Sequence, residues 1–117
     1  MAVGWSERQE GVVRGALAEH DVDSGECALA AAKILPVALE RDRSAVARRC
    51  DPNYGRFVSP QRKWYHHVSV RVEGHHVDAL TGAPGLECDD YFSTYWSDTS
   101  AFSWKDLTTQ ELEELHQ

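Results

Sequence analysis

An almost uninterrupted run of small and apolar residues in the first third of the chain constrains its fold more than any other feature. The twelve residues from Ala28 to Leu39 include one charged residue, Lys33, and one proline, Pro36. Alanine and leucine favour helix, and the run has no polar stripe, which predicts a helix covered on most sides. Twelve residues are too few to cross a bilayer, so this helix should form the centre of a globular domain. Pro36 is expected to kink or end it.

The length of the chain predicts one domain, spanning residues 1–117. Two independent cores would be too small to stabilise themselves within 13.1 kDa. The 42% hydrophobic and 26% charged residues are typical of globular proteins and argue against disorder. Met1–Glu10 lacks the basic start and apolar run of a secretory signal. We therefore expect a cytoplasmic location for the chain as given, with delivery or secretion as part of a larger system as the alternative.

The net charge of −7 is concentrated at the C-terminal end of the chain. Glu87–Gln117 holds eight acidic residues and one lysine, and this excess predicts no nucleic-acid binding by the whole chain. The acidic C-terminal segment is instead a candidate surface for binding a protein partner. Arg41–Lys63 is locally basic, with seven bases and two acids. We interpret it as a solvated helix and loop facing the acidic segment, with an anionic-ligand site as the alternative.

Two capping-box patterns predict where helices begin. A serine or threonine followed three residues later by Gln or Glu occurs at Ser6–Gln9 and again at Thr108–Glu111. The first pattern predicts a helix to about Ala18, and the second predicts a short acidic helix to the C-terminus. Ser44–Arg49 is a further candidate for a short helix.

The hydrophobic period changes from helical to alternating after Trp64, which predicts a strand. Valines at 68, 70 and 72 share one face, and His67, Ser69 and Arg71 share the other. Glu73–Gly74 is a two-residue turn signal, so His75–Leu80 should pair antiparallel with this strand. Tyr91–Trp104, rich in aromatic, serine and threonine residues, is a candidate for another strand.

Three residues on these elements have the chemistry of a nucleophilic site. Cys27 stands at the start of the central helix, where unpaired amides stabilise a thiolate. His67 stands at the start of the first strand and can exchange a proton with that sulfur. If Val72 pairs with His75, Asp78 lies diagonal to His67 and can orient its ring. The three meet if the central helix packs on the face of the strand that carries His67.

The residues around this trio resemble a known family. The segments Ser24–Ala30, His67–Val72 and Val77–Ala79 look like the papain-like fold, most of all its small bacterial branch of papain-fold toxin and glutamine-deamidase domains. The resemblance implies an α+β domain in which a central helix bearing the Cys packs on a small antiparallel sheet. It implies that Cys27 is the nucleophile, His67 the general base and acid, and Asp78 the orienting acid, with no cofactor and no metal.

The activity implied by this resemblance is a cysteine-dependent amide hydrolase or acyl transferase that works through a thioester. Deamidation of a protein glutamine by a toxin or effector is the first expectation and peptide-bond cleavage the second, so the substrate is a protein or peptide. Papain-type enzymes usually carry a Gln shortly before the Cys as an oxyanion donor. This chain has no Gln there; His20, Ser24 or a backbone amide are the candidates instead.

Other functions remain open on sequence grounds. Cys27 is also consistent with a chemically inert thiol packed in the core. In that case the domain is a non-catalytic adaptor or immunity-type module. Cys50, beside two arginines, is a weaker nucleophile candidate, and Cys88, flanked by acids, is interpreted as structural. A metal-binding module is the remaining alternative, built from histidines of the predicted hairpin, with Asp78 or Cys88 as a further ligand. These histidines are His66, His67, His75 and His76.

Overall fold

The computed structural model of the chain describes residues 2–20, 27–52, 57–58, 63–64, 67–95 and 102–115. Within them the chain forms an α+β arrangement of four helices, a five-stranded antiparallel sheet and a separate two-stranded ladder. The helices are α1 (Glu7–Glu19), α2 (Cys27–Arg41), α3 (Cys88–Tyr95) and α4 (Thr109–Leu115). The strands are β1 (Val46–Pro52), β2 (Phe57–Val58), β3 (Lys63–Trp64), β4 (His67–Val72), β5 (His75–Val77), β6 (Leu86–Glu87) and β7 (Phe102–Leu107).

Both capping boxes begin helices, as predicted. The Ser6 hydroxyl accepts from the Gln9 amide at 3.1 Å, and the Gln9 side chain accepts from the Ser6 amide at 3.0 Å. Thr108 and Glu111 make the same reciprocal pair ahead of α4, at 3.1 and 3.0 Å. Each pair satisfies two amides that the first turn of a helix leaves without intrahelical partners.

Helix α2 is the central helix, and it continues through the proline that was expected to kink or end it. The helix runs to Arg41, so an end at Pro36 is wrong. Pro36 is exposed, as are Lys33 and Leu39, while the residues on the other side of the helix, such as Ile34 and Ala38, are buried. Burial of the apolar face therefore outweighs the hydrogen bond that proline cannot donate.

The five-stranded sheet has the order β6-β5-β4-β1-β7, and every neighbouring pair is antiparallel. Helix α2 packs on the face that carries the β4 valines, and the two sets of side chains share one apolar core. The expectation that α2 lies on the His67 face is therefore wrong. The valines form the apolar face of β4, and burying them against an alanine-rich helix removes the most apolar surface from water.

The hairpin of β4 and β5 has the predicted register. Val72 pairs with His75 and Val70 with Val77, around a turn in which Glu73 and Gly74 both have positive φ, 50° and 74°. Two left-handed residues are typical of the tight turn that suits the twist of a hairpin. Strand β5 ends at Val77, three residues earlier than predicted, because Asp78 begins a turn.

Two element predictions differ from the structure. Ser44–Arg49 is not a helix, because Val46 begins strand β1, which pairs with β4 on one side and β7 on the other. In Tyr91–Trp104, the start belongs to helix α3 and the end to strand β7. None of the helices in the described part of the chain combines the length and apolar character that a bilayer crossing requires.

Candidate active site

The hairpin brings His67 and Asp78 into direct contact inside the protein. The His67 Nε2 atom lies 2.9 Å from Asp78 Oδ2, and their side chains are only 4% and 3% exposed. Continuing the register by one residue beyond Val77 places Asp78 opposite Ser69, diagonal to His67. Side chains at diagonal positions on one face of an antiparallel pair are within reach of each other, and this contact is of that kind.

Four donors hold the Asp78 carboxylate in place. The backbone amides of Leu80 and Thr81 donate to Oδ1 at 2.9 and 3.1 Å, and the Tyr91 hydroxyl donates to Oδ2 at 2.7 Å, beside His67. Burial acts to raise the pKa of the Asp78 carboxyl, but these donors and the charge of His67 outweigh burial and lower the pKa below its ordinary 3.8. Asp78 is therefore an ionised acceptor, and His67 Nε2 carries the proton in their hydrogen bond.

Cys27 is the second partner of His67. Burial acts to lower the pKa of His67, but hydrogen bonds to Asp78 and Cys27 and the negative charge of both outweigh burial and raise the pKa to about 9. Because Nε2 is engaged by Asp78, Nδ1 is the ring nitrogen that remains for the sulfur. The cysteine itself is half-buried, so the sulfur lies at the margin of the core.

The direction of α2 explains how Cys27 meets His67 from the valine side of the sheet. Arg41, the last residue of α2, pairs with Glu73 at 3.0 Å, and the Asp42 carboxylate accepts from the Glu73 amide at 2.8 Å. The helix therefore ends where β4 ends and runs in the same direction. Its first residue, Cys27, consequently lies at the end of the sheet where β4 begins with His67, and the two first residues meet.

Tyr91 is a site residue that sequence reasoning missed. It lies on α3, is fully buried, and stacks on His76 with ring centroids 4.4 Å apart and planes 7° apart. His76 is itself hydrogen-bonded through Nδ1 to the Ser69 hydroxyl at 2.8 Å. The only signal in the sequence was the aromatic richness of this segment, which does not reveal which ring reaches the carboxylate.

The other two cysteines lie in different settings. Burial raises the pKa of the Cys50 thiol to about 12; the Asp51 charge adds to this and Arg48 opposes it. Burial of this kind argues against an activated Cys50, although its backbone pairs with that of His67. Cys88 is half-buried at the first position of α3.

In the part of the chain that the structure describes, the hairpin histidines form hydrogen bonds to protein groups. His75 Nδ1 donates to the Glu73 carbonyl at 2.7 Å, while His67 and His76 contact Asp78 and Ser69. Among the described residues no three His, Cys, Asp or Glu side chains are grouped as metal ligands. His66 lies outside the described residues.

The structure describes two of the three candidates for the oxyanion donor. His20 is buried at the end of α1, where its amide donates to the Ala16 carbonyl at 2.9 Å. Ser24 lies outside the described residues. The amide of Cys27, at the first position of α2, is one of those that a helix leaves without an intrahelical partner.

The basic segment was predicted to be a solvated helix and loop facing the acidic C-terminal segment; its described part includes strand β1, and Arg48 on that strand does pair with an acid of the C-terminal segment. Arg48 pairs with Asp106 at 3.0 Å, and Arg49 with Asp51 at 2.8 Å. Across the ladder from Arg49, Lys105 pairs with Glu111 at 2.6 Å, which lowers the pKa of Glu111 to about 2. The open groove of about 400 Å³ between these residues is lined by charges that already have partners. It favours the solvated surface over an anionic-ligand site.

Comparison with known proteins identifies no relative. No family model, curated protein or solved structure matches this chain. The case for its function therefore rests on the geometry of Cys27, His67 and Asp78.

Proposed function

We propose that this protein is a papain-like cysteine hydrolase or acyl transferase that acts on an amide through Cys27, His67 and Asp78. The observation that carries the proposal is that His67 contacts Asp78 on one side and Cys27 on the other. A nucleophile, a base and an orienting acid in that order are what thiol-dependent acyl transfer requires. Their order along the chain is also that of the family the sequence resembles.

The pKa of His67 supports a charged resting state. With the pKa raised to about 9, the ring holds a proton at neutral pH, and the nearest source of that proton is the Cys27 thiol. The product is a thiolate beside an imidazolium, the nucleophilic form of a cysteine. Asp78 stabilises the imidazolium and holds the ring in one tautomer.

The reaction divides into two steps. The Cys27 sulfur attacks the amide carbonyl, a C–S bond forms, and the C–N bond breaks as His67 gives its proton to the leaving nitrogen. A water molecule or an amine then attacks the thioester carbonyl, His67 takes the proton of the attacking group, and the C–S bond breaks to release the Cys27 thiolate beside the imidazolium. The Cys27 amide, at the helix start, is the candidate donor to the oxyanion in both steps.

A glutamine side chain of a target protein is the first candidate substrate and a peptide bond the second. In the first case the leaving group is ammonia, and a glutamate is produced. The half-buried Cys27 at the margin of one α+β unit favours a substrate presented on the surface of another protein. Action by a toxin or effector on a protein of the cytoplasm is the setting that the family resemblance supports.

Thiol labelling tests this function. Wild-type protein treated with iodoacetamide at neutral pH should be modified first at Cys27, faster than a free model thiol and faster than the half-buried Cys88, while Cys50 is protected by burial with its pKa raised to about 12. His67→Ala should slow labelling of Cys27 by roughly tenfold or more, because the base is gone. His75→Ala is the matched control, a buried histidine of the same hairpin that contacts a backbone carbonyl. Mass spectrometry locates the adduct.

Three outcomes would contradict the proposal. Labelling of Cys27 no faster than the model thiol would favour a non-catalytic interaction domain. Equal slowing in His67→Ala and His75→Ala would show a loss of structure rather than of a base. Stoichiometric zinc in the purified protein, measured by elemental analysis and lost in His67→Ala, would favour the metal-binding module.

A second measurement concerns the substrate. Wild-type protein incubated with a cell lysate should release ammonia and convert glutamine to glutamate in a limited set of proteins, while Cys27→Ser does neither. New peptide termini without ammonia would indicate peptide-bond cleavage instead.

A further inference from the structure

One oxygen of Asp78 serves two side chains from different parts of the chain. His67 from β4 lies 2.9 Å from Oδ2, and Tyr91 from α3 donates to the same atom at 2.7 Å. The other oxygen, Oδ1, is occupied by the amides of the turn that Asp78 begins. Tyr91 and His67 therefore share the negative charge of a single atom.

The position of the Tyr91 hydroxyl is determined by packing on both sides of its ring. The ring is fully buried, stacked on His76, and 6.5 Å from the Trp104 ring in an edge contact. Ser69 holds His76 in turn, at 2.8 Å. Helix α3 packs on β5 and β6, so the hydroxyl is brought to Asp78 by an element that contributes neither the nucleophile nor the base.

We propose that Tyr91 is a positioning residue that sets how tightly His67 holds its proton, by taking part of the charge of Asp78 Oδ2. This inference rests on the proposed function for its catalytic meaning. A donor on Oδ2 weakens the stabilisation that the carboxylate offers to the imidazolium. The proton then remains available for transfer to a leaving group, and the carboxylate cannot rotate away from the ring.

The other charged and titratable groups around this cluster are few among the described residues. Burial lowers the pKa of His76 to about 4, so that ring is neutral at pH 7. The groups that face the cluster are Cys27 from α2, Arg48 and Cys50 from β1, Arg71 from β4 and His76 from β5, while Asp106 from β7 pairs with Arg48. Tyr91 donates to Asp78 Oδ2 through its hydroxyl, so removal of that hydroxyl tests this one contact.

The test is an NMR titration of the His67 ring nitrogens in wild type, Tyr91→Phe and His75→Ala. Phenylalanine keeps the stack on His76 and removes only the donor, so the His67 midpoint should rise by roughly 0.5 to 1 on the pH scale. His75→Ala removes a buried ring of the same hairpin whose Nδ1 donates to the Glu73 carbonyl, and its midpoint should stay at the wild-type value. An unchanged midpoint in Tyr91→Phe, or the same rise in both variants, would overturn the inference.

Wild-type protein provides a measurement that does not depend on the folding of a variant. If Oδ2 is shared, the hydroxyl proton resonance of Tyr91 should move with the same midpoint as the His67 ring. A hydroxyl resonance that ignores the His67 titration would overturn the inference.

The outcome is separable from that of the proposed function. The titration needs no reactive thiol, so an inert Cys27 with a shifted midpoint in Tyr91→Phe would refute the enzyme and keep the link between Tyr91 and His67. A reactive, His67-dependent Cys27 with no shift in Tyr91→Phe would keep the enzyme and refute the role of Tyr91.

Discussion

At the scale of single residues, Asp78 connects local structure to the site. Its backbone and Oδ1 form the turn that ends β5, with Thr81 Oγ1 accepting from the Asp78 amide at 3.1 Å. Its Oδ2 faces inward to His67. An aspartate two or three residues before unpaired amides is a common turn former, and here the same side chain also carries a buried charge. The turn therefore supplies the rigidity that the orienting role proposed for Asp78 needs.

In Cys27→Ala, which has no thiol to lend His67 a proton, the stability of the folded protein should fall as the pH rises above 6.5. Asp78 holds the pKa of His67 above its ordinary value in the folded protein, so the stabilisation is fully present below 6.5 and is lost as the pH passes through the raised value. In wild type the slope should be smaller, because the thiol gives up a proton as the ring takes one. Urea unfolding at a series of pH values measures the slope.

The variant His67→Gln should lack this alkaline slope, although it is less stable at every pH because Asp78 loses its charged partner. The contribution of His76 to stability depends on pH in the opposite direction. Its pKa is lowered to about 4, so its contribution is complete above 6.5 and is lost as the pH falls through 4. An alkaline slope of the same size in His67→Gln would refute the assignment of the slope to His67.

At the scale of elements, α2 positions Cys27 and also contains the residue type that is least favourable in a helix. Pro36 lies within the helix and cannot donate to the carbonyl one turn earlier. Pro36 lies on an exposed side of the helix. It therefore removes one backbone hydrogen bond, and its ring is not buried in the core. The helix is held by its contact with the sheet, which is a tertiary interaction.

Replacing Pro36 with alanine should raise the free energy of unfolding by about 1 kcal/mol or more, since proline in a helix interior is up to about 3 kcal/mol less favourable than alanine. The matched control is Gly15→Ala in α1, where an added Cβ meets nothing within 4 Å and the expected gain is about 0.5–1 kcal/mol. Chemical denaturation compares them. A loss of stability in Pro36→Ala alone would show that the packing around α2 depends on the proline ring.

Several elements could be predicted from local sequence patterns alone. The capping boxes, the Glu73–Gly74 turn and the alternation in β4 involve neighbours along the chain, and each was predictable. Strand β1 was mistaken for a helix because its arginines and alanine have good helix propensity. Its pairing with β4 and β7 overrides that preference, and pairing partners 17 or more residues away leave no local signal.

At the scale of the whole molecule, one apolar core holds the site elements together. It lies between α2 and the valine face of the sheet, with α1 and α4 contributing Val13 and Leu112. Ile34 is near its centre and 1% exposed. Cys27 is partly buried at the edge of the same core, two helical turns before Ile34.

Ile34→Ala should lower the free energy of unfolding by about 2–5 kcal/mol, because it removes buried methyl and methylene groups and leaves a cavity. Val12→Ala, an exposed apolar residue of α1, is the control and should change it by less than about 0.5 kcal/mol. Thermal and urea unfolding measure both. Equal effects would mean that the core lies elsewhere.

The starts of α1, α2 and α4, the hairpin register and the chemical types of Cys27, His67 and Asp78 were readable from the sequence, because each depends on residue type and short spacing. The face on which α2 packs, the strand identity of β1 and the place of Tyr91 were decided only in three dimensions. Burying the valines determines the packing face, and a shared direction of α2 and β4 brings sulfur and imidazole together at one end. Contacts of this kind depend on the summed burial of the whole core, which no single stretch of the chain encodes.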